Sequence, residues 1–210
     1  SVAGRGDFNG DGLSDFVFGA PGKTLGQGEA YEMFGTSGAL TTLNGFSPVN
    51  LNPTSASFPT NDGVKMVAPA TFGLRTGEAV ATGGDFNGDG FADSVVGMPL
   101  VDTNGASAGD SQGQVFIAFG GPSGLTNLSL TSAGMTGTGG INLDGTTDFG
   151  QVGRSVAMGD FDGDHLADVV ISALGINTVY VVSGNTVNTA RDNLNLANLN
   201  GANGGVKLVG

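Results

Sequence analysis

The stretch Asp7-Phe-Asn-Gly-Asp-Gly-Leu-Ser-Asp15 occurs three times in this chain. The second copy is Asp85-Phe-Asn-Gly-Asp-Gly-Phe-Ala-Asp93 and the third is Asp160-Phe-Asp-Gly-Asp-His-Leu-Ala-Asp168. From Asp7 to Asp85 is 78 residues, and from Asp85 to Asp160 is 75. Each copy carries oxygen side chains at positions 1, 3, 5 and 9. A polar motif held in phase over such a period demands a repeating scaffold that presents the same loop three times.

The donor set is that of a hard cation. Calcium takes about six to eight oxygens in a flexible shell. Asp7, Asn9 and Asp11 stand at positions 1, 3 and 5 of the first loop. Their equivalents are Asp85, Asn87 and Asp89, then Asp160, Asp162 and Asp164. Position 7 (Leu13, Phe91 or Leu166) offers its backbone carbonyl and an apolar side chain that can face the core. Position 9 (Asp15, Asp93 or Asp168) closes the shell. Glycines at positions 4 and 6 ease the curvature, since glycine enters positive φ without a Cβ clash. The expectation is three Ca²⁺ ions, one per loop.

Competing readings fit less well. An EF-hand needs a bidentate Glu at position 12 and flanking helices; here position 12 is Phe18, Val96 or Ile171, between strand-like flanks. Magnesium retains several waters and takes few carboxylates. Zinc calls for Cys or His, and the chain has no Cys and one His. An Asp/Asn/Gly surface turn explains one copy but not three in phase. Empty loops would also bring carboxylates together, at about 4 kcal/mol per pair for ~4 Å separation and an effective dielectric of ~20.

The formal net charge is −12, and ten of the 19 acidic residues lie in the loops. Three divalent cations would halve that charge. The acidity is therefore largely a metal signature, and it argues against nucleic acid as a partner. Weak calcium sites fill outside the cytoplasm, so an extracellular or surface location is expected. No apolar run is long enough to span a membrane as a helix. The chain opens at Ser1 without Met or a signal peptide, as expected of a processed or excised segment.

Around each loop the sequence repeats four short strand-like runs. Ser1-Val-Ala, Glu78-Ala-Val-Ala81 and Arg154-Ser-Val-Ala157 precede the loops. Asp15–Gly19, Asp93–Gly97 and Asp168–Ser172 follow them. Next come the β-branched and aromatic runs Glu29–Gly35, Gln114–Gly120 and Thr178–Gly184, each closed by Gly or Ser-Gly. The alternating segments Gly63–Val67, Gly140–Asp144 and Gly205–Val209 complete the units. No helical period is evident. The expected fold is all-β: β-propeller blades, three four-stranded antiparallel blades with a Ca²⁺ loop each, approximately 1–68, 72–145 and 149–210. A β-sandwich is the generic alternative, but it does not repeat a metal loop in phase.

With these residues in view, the chain resembles FG-GAP repeats, the blades of the integrin α-chain propeller and of similar bacterial proteins. Phe72-Gly73 and Phe149-Gly150 carry the first half of the motif. Gly19-Ala20-Pro21 carries the second, with Gly97-Met98-Pro99 close to it. The third copy departs, with Ser172-Ala173-Leu174 and with His165 where the other loops have Gly. The resemblance implies structural Ca²⁺ in each loop between the first and second strands. It also implies a ring usually of seven blades, which three cannot close. A partial propeller is expected, completed by a second copy in head-to-tail assembly or by blades on another chain.

Some residues invite other readings. Arg5-Gly6-Asp7 spells an integrin-binding tripeptide, but Asp7 is already the first metal ligand. His165 is the only histidine, and no Ser or Cys nucleophile can be tied to it, so a local structural role is expected. Tyr31, Phe116 and Tyr180 suit packing between blades. Asp192–Asn200 alternates like a surface strand. The function expected is a non-catalytic extracellular module for protein interaction, adhesion or assembly of a surface structure. The alternative is a carbohydrate-binding or hydrolase- or lyase-associated propeller domain, with an extracellular protein or glycan as partner.

Overall fold

A computed structural model describes residues 1–37, 63–68, 73–103, 109–122, 128–130, 139–186, 194–199, 201 and 204–210. The chain is all-β. The first unit is β1 (Val2–Gly6), β2 (Asp15–Ala20), β3 (Glu29–Met33) and β4 (Gly63–Val67). β5 (Val80–Thr82), β6 (Ser94–Met98), β7 (Gln114–Ala118), β8 (Leu128–Ser129) and β9 (Gly140–Asp144) follow. The last run is β10 (Val152–Gly159), β11 (Asp168–Ala173), β12 (Thr178–Val182), β13 (Leu194–Asn195) and β14 (Gly205–Val209). Single helical turns at Lys23–Gly26, Leu174–Ile176 and Leu196–Asn198 serve as connectors.

Three sheets result: β1-β2-β3-β4-β8, then β13-β9-β7-β6-β5, then β10-β11-β12-β14. Within each, the four strands of one repeat form an antiparallel meander, as the sequence leads one to expect. Two sheets also gain a fifth, parallel strand from the following repeat. Leu128 and Ser129 pair with Met66 and Val67, and Leu194 and Asn195 pair with Leu143 and Asp144. The Asn-rich segment is thus not one long strand. Its described part is two strand residues and a helical turn, and it buries Leu196 and Leu199 in the core.

The sheets stack in sequence order as a partial propeller. Alternation gives each strand one face toward the preceding sheet and one toward the next. Val17, Ala30, Val64 and Met66 meet Val96, Met98, Phe116 and Ala118 between the first two sheets. Val95, Val115, Ile117, Ile141 and Leu143 meet Val169, Ile171, Ala173, Tyr180 and Val182 between the second and third. A fully buried Val, Leu or Ile stabilises by about 1.5–3 kcal/mol, so these layers hold the stack together. Tyr180 and Phe116 do pack between sheets, as expected. Tyr31 is buried on the outer side of the first sheet, stacked on Phe18 with Lys23 over its ring.

Glycine permits the closest approach. A Cβ at Gly19 would collide with the carbonyl of Gly77, and one at Gly97 with that of Gly153. The third sheet has Ser172 at this position, and its Oγ accepts from the Ser155 N–H at 2.8 Å.

Candidate metal centres

Each loop is folded by its own acidic side chains. The position 1 carboxylate accepts from the amides of positions 4 and 6. Asp7 takes Gly10 at 2.7 Å and Gly12 at 3.0 Å; Asp85 takes Gly88 at 2.6 Å and Gly90 at 2.7 Å; Asp160 takes Gly163 at 2.7 Å and His165 at 3.1 Å. The side chain at position 3 (Asn9, Asn87, Asp162) accepts from the amide of position 5. Asp11, Asp89 and Asp164 at position 5 accept from Leu13, Phe91 and Leu166. Such side-chain-to-backbone bonds are what Asp and Asn offer in turns.

Position 9 ties the loop to its sheet. Asp15 accepts from Phe8 at 2.7 Å and from Gly35 at 2.6 Å. Asp93 accepts from Phe86 at 2.7 Å and Gly120 at 2.9 Å, and Asp168 from Phe161 at 2.9 Å and Gly184 at 3.0 Å. Gly35, Gly120 and Gly184, which lie two residues past the third strand of each repeat, are therefore part of the loop architecture. Their recurrence is visible in the sequence; their partner is not.

His165 adopts φ +74°, against +81° at Gly12 and +91° at Gly90. It thus keeps the loop conformation in a left-handed region that L residues enter at a cost. It is exposed and within the loop, in keeping with a local role. The position 7 side chains do not enter the sheet cores. They are half-buried, and two of them lie on the preceding loop: Phe91 lies over Gly10, and Leu166 approaches Gly88. Arg5 is exposed with φ +82°. The Asp7 carboxylate beside it is engaged by loop amides. Of the pairs that carry the motif, Phe149-Gly150 is described, with Phe149 exposed, and Phe72 lies outside the described residues.

The neighbouring sheet clasps two of the loops. The Ala92 and Gly121 amides donate to the carbonyls of Asp7 (3.1 Å) and Phe8 (2.8 Å). The Ala167 and Asn185 amides do the same for Asp85 and Phe86, both at 2.8 Å. Sequence reasoning missed the aromatic residue at position 2, which the clasp buries: Phe8 is 2% exposed and Phe86 0%, whereas Phe161 is 58% exposed.

The electrostatics suit a cation. Burial pushes the Asp93 carboxyl up to about 8; the Gly120 and Phe86 amides oppose this, and Asp89 and Asp85 add to it. Asp15 is raised chiefly by burial, with Asp11 and Asp7 contributing. Carboxylates that desolvate and repel one another favour a bound positive charge. Ligand oxygens of Asp160, Asp162 and Asp168 lie within 4.8 Å of one another. An all-oxygen donor set at this spacing fits a hard divalent cation.

Comparisons with known proteins agree with the geometry. An FG-GAP repeat model matches residues 1–33 and 152–182. Integrin alpha-4 of Xenopus laevis is 29% identical over 171 residues, which is 80% of this chain and 13% of that protein. The chain thus spans about an eighth of the length of this curated relative. Repeated motif, stacked four-stranded meanders and sequence similarity converge: the chain matches FG-GAP repeats over residues 1–33 and 152–182 and is similar to an integrin α-chain.

Proposed function

We propose that this chain is a calcium-binding extracellular propeller module that serves protein interaction, in adhesion or in assembly of a surface structure, and does no catalysis. The carrying observation is the convergence of Asp160, Asp162 and Asp168 oxygens within 4.8 Å, in a loop whose pattern recurs twice. Asp7, Asn9, Asp11 and Asp15 would hold the ion in the first loop, with the Leu13 carbonyl. Asp85, Asn87, Asp89, Asp93 and the Phe91 carbonyl would hold the second. Asp160, Asp162, Asp164, Asp168 and the Leu166 carbonyl would hold the third. The role is structural: ligands assembled only in the folded state convert binding energy into stability. Similarity to integrin alpha-4 supports an extracellular setting. No described helix is long and apolar enough to cross a membrane. Partners are other polypeptides, including further propeller sheets.

The test is thermal melting in millimolar calcium and in EDTA. Chelation is expected to lower the melting temperature by about 10 °C or more. Asp89→Ala should abolish part of that difference, whereas Asp110→Ala, at a half-buried residue outside the three loops, should leave it intact. A melting curve indifferent to EDTA would overturn the calcium reading.

A further inference from the structure

We propose that neighbouring loops bind their cations cooperatively, because the residues that ligate in one loop also brace the loop before it. The inference rests on the reading of the three loops as calcium sites. It concerns only the two internal junctions, where both partners belong to this chain.

Two routes join the first and second sites. One runs through the end of the second loop. Phe91 at position 7 would give its carbonyl to the second ion, and Asp93 at position 9 its carboxylate. Between them, the Ala92 amide donates to the Asp7 carbonyl of the first loop at 3.1 Å, and the Phe91 ring covers Gly10. Gly10 in turn donates to the Asp7 carboxylate at 2.7 Å. The other route starts at Asp93 itself. Its Oδ1 accepts from Gly120 at 2.9 Å, and the next amide, of Gly121, donates to the Phe8 carbonyl at 2.8 Å. The amide of Phe8 donates to Asp15, the closing ligand of the first loop, at 2.7 Å.

The second junction repeats both routes. The Ala167 amide donates to the Asp85 carbonyl at 2.8 Å, and Leu166 and Thr186 stand over Gly88. Asp168 Oδ1 accepts from Gly184 at 3.0 Å, and Asn185 donates to the Phe86 carbonyl at 2.8 Å. Phe86 donates to Asp93 at 2.7 Å. Gly120 and Gly184 are the points where the loops cross. A Cβ at Gly120 would run into the carbonyls of Ala92 and Phe8, and one at Gly184 into those of Ala167 and Phe86.

The sign of the coupling follows from this wiring. Fixing Phe91 to Asp93 around the second ion also fixes the donors that order the first loop. The first loop then loses less conformational freedom when it binds. Linkage makes the effect reciprocal. Charge opposes it, since a filled loop attracts the next ion less than an empty one. At about 0.15 M salt the screening length is about 8 Å, and the bracing dominates. The coupling expected is about tenfold in affinity at each junction.

The experiment is a calcium titration of the 210-residue chain at about 0.15 M salt, followed by NMR. The amides of Gly12, Gly90 and His165, which donate to the position 1 carboxylates, report each loop separately. Each curve is expected to be steeper than that of a single site. Asp11→Ala, which removes a first-loop ligand, is expected to weaken the second loop about tenfold. Phe91→Ala keeps the backbone carbonyl but uncovers Gly10. It is expected to cut the coupling of the first and second loops to about threefold or less, with that of the second and third retained. Phe91→Leu, which places there the residue type of Leu166 in the third loop, is expected to restore it. A double-mutant cycle of Asp11→Ala and Phe91→Ala separates coupling from a general loss of stability. Should Asp11→Ala fail to fold, the parent curves and the two Phe91 variants still decide. Single-site curves at all three reporters, a second loop indifferent to Asp11→Ala, or undiminished coupling in Phe91→Ala would overturn the proposal and leave the calcium reading standing. No response to calcium at any loop would overturn both.

Discussion

The second and third loops differ at three of nine positions, yet fold with the same pattern of side-chain-to-amide bonds. Their surroundings are opposite. The second lies under the third sheet, which clasps the Asp85 and Phe86 carbonyls and buries Phe86 completely. The third loop has Phe161 in solvent. Local sequence therefore shapes the loop, but the neighbouring sheet decides how far the loop is desolvated. The two internal junctions show a related contrast. The second is apolar at Ile117 and Val169, while the first places Glu32 and Ser94 at the same positions, with the Ser94 hydroxyl donating to the Glu32 carboxylate.

The largest effect expected from breaking this contrast is Gly97→Ala. Its Cβ would meet the Gly153 carbonyl in the next sheet, and two backbones cannot yield as a side chain can. A loss of about 4 kcal/mol or more is expected in urea unfolding. Ser172→Ala, at the equivalent place with no sheet beyond, should stay within about 1 kcal/mol. Next comes Phe86→Ala, which should cost about 3–5 kcal/mol as a fully buried aromatic truncation. Phe161→Ala, measured at high dilution, should change stability by no more than about 0.5 kcal/mol. Equal costs for the two Phe variants would show that the clasp does not matter.

A further expected effect concerns pH. Burial pushes the Glu32 carboxyl from 4.5 up to about 7; the Ser94 hydroxyl opposes this and Asp15 adds to it. Its Oε2 is buried without a hydrogen-bond partner, as suits a neutral acid. Because the folded state binds this proton more tightly than the unfolded state, the contribution is fully present below about pH 4.5. It is lost as pH rises through about 7. The loss is roughly 3 kcal/mol. Glu32→Gln should flatten that part of the stability profile between pH 5 and 8, and an unchanged difference between the two proteins across that range would exclude it.

Much of the site was legible because its cause is local. Asp, Asn and Gly at fixed offsets direct side-chain oxygens onto nearby amides, and three copies in phase separate the pattern from chance. The strands were legible for the same reason, through alternation and β-branched runs. The parallel fifth strands were not, since Leu128–Ser129 and Leu194–Asn195 are too short to signal pairing. The resting place of Phe91 on the preceding loop was also hidden, because an apolar residue at position 7 looks alike whether it enters its own sheet or covers another loop.

What the sequence determined by itself is the repeat: its period, its loop chemistry, its four strands and the cation class its oxygens suit. These depend on contacts within a few residues or on alternation along one strand. Tertiary structure alone decided which face of each sheet is covered, why Gly19 and Gly97 must lack a side chain, and why one Phe of three stands in water. Those outcomes depend on a neighbour some 70 residues away in the chain, and a sheet's two faces become inequivalent only when that neighbour is packed in place.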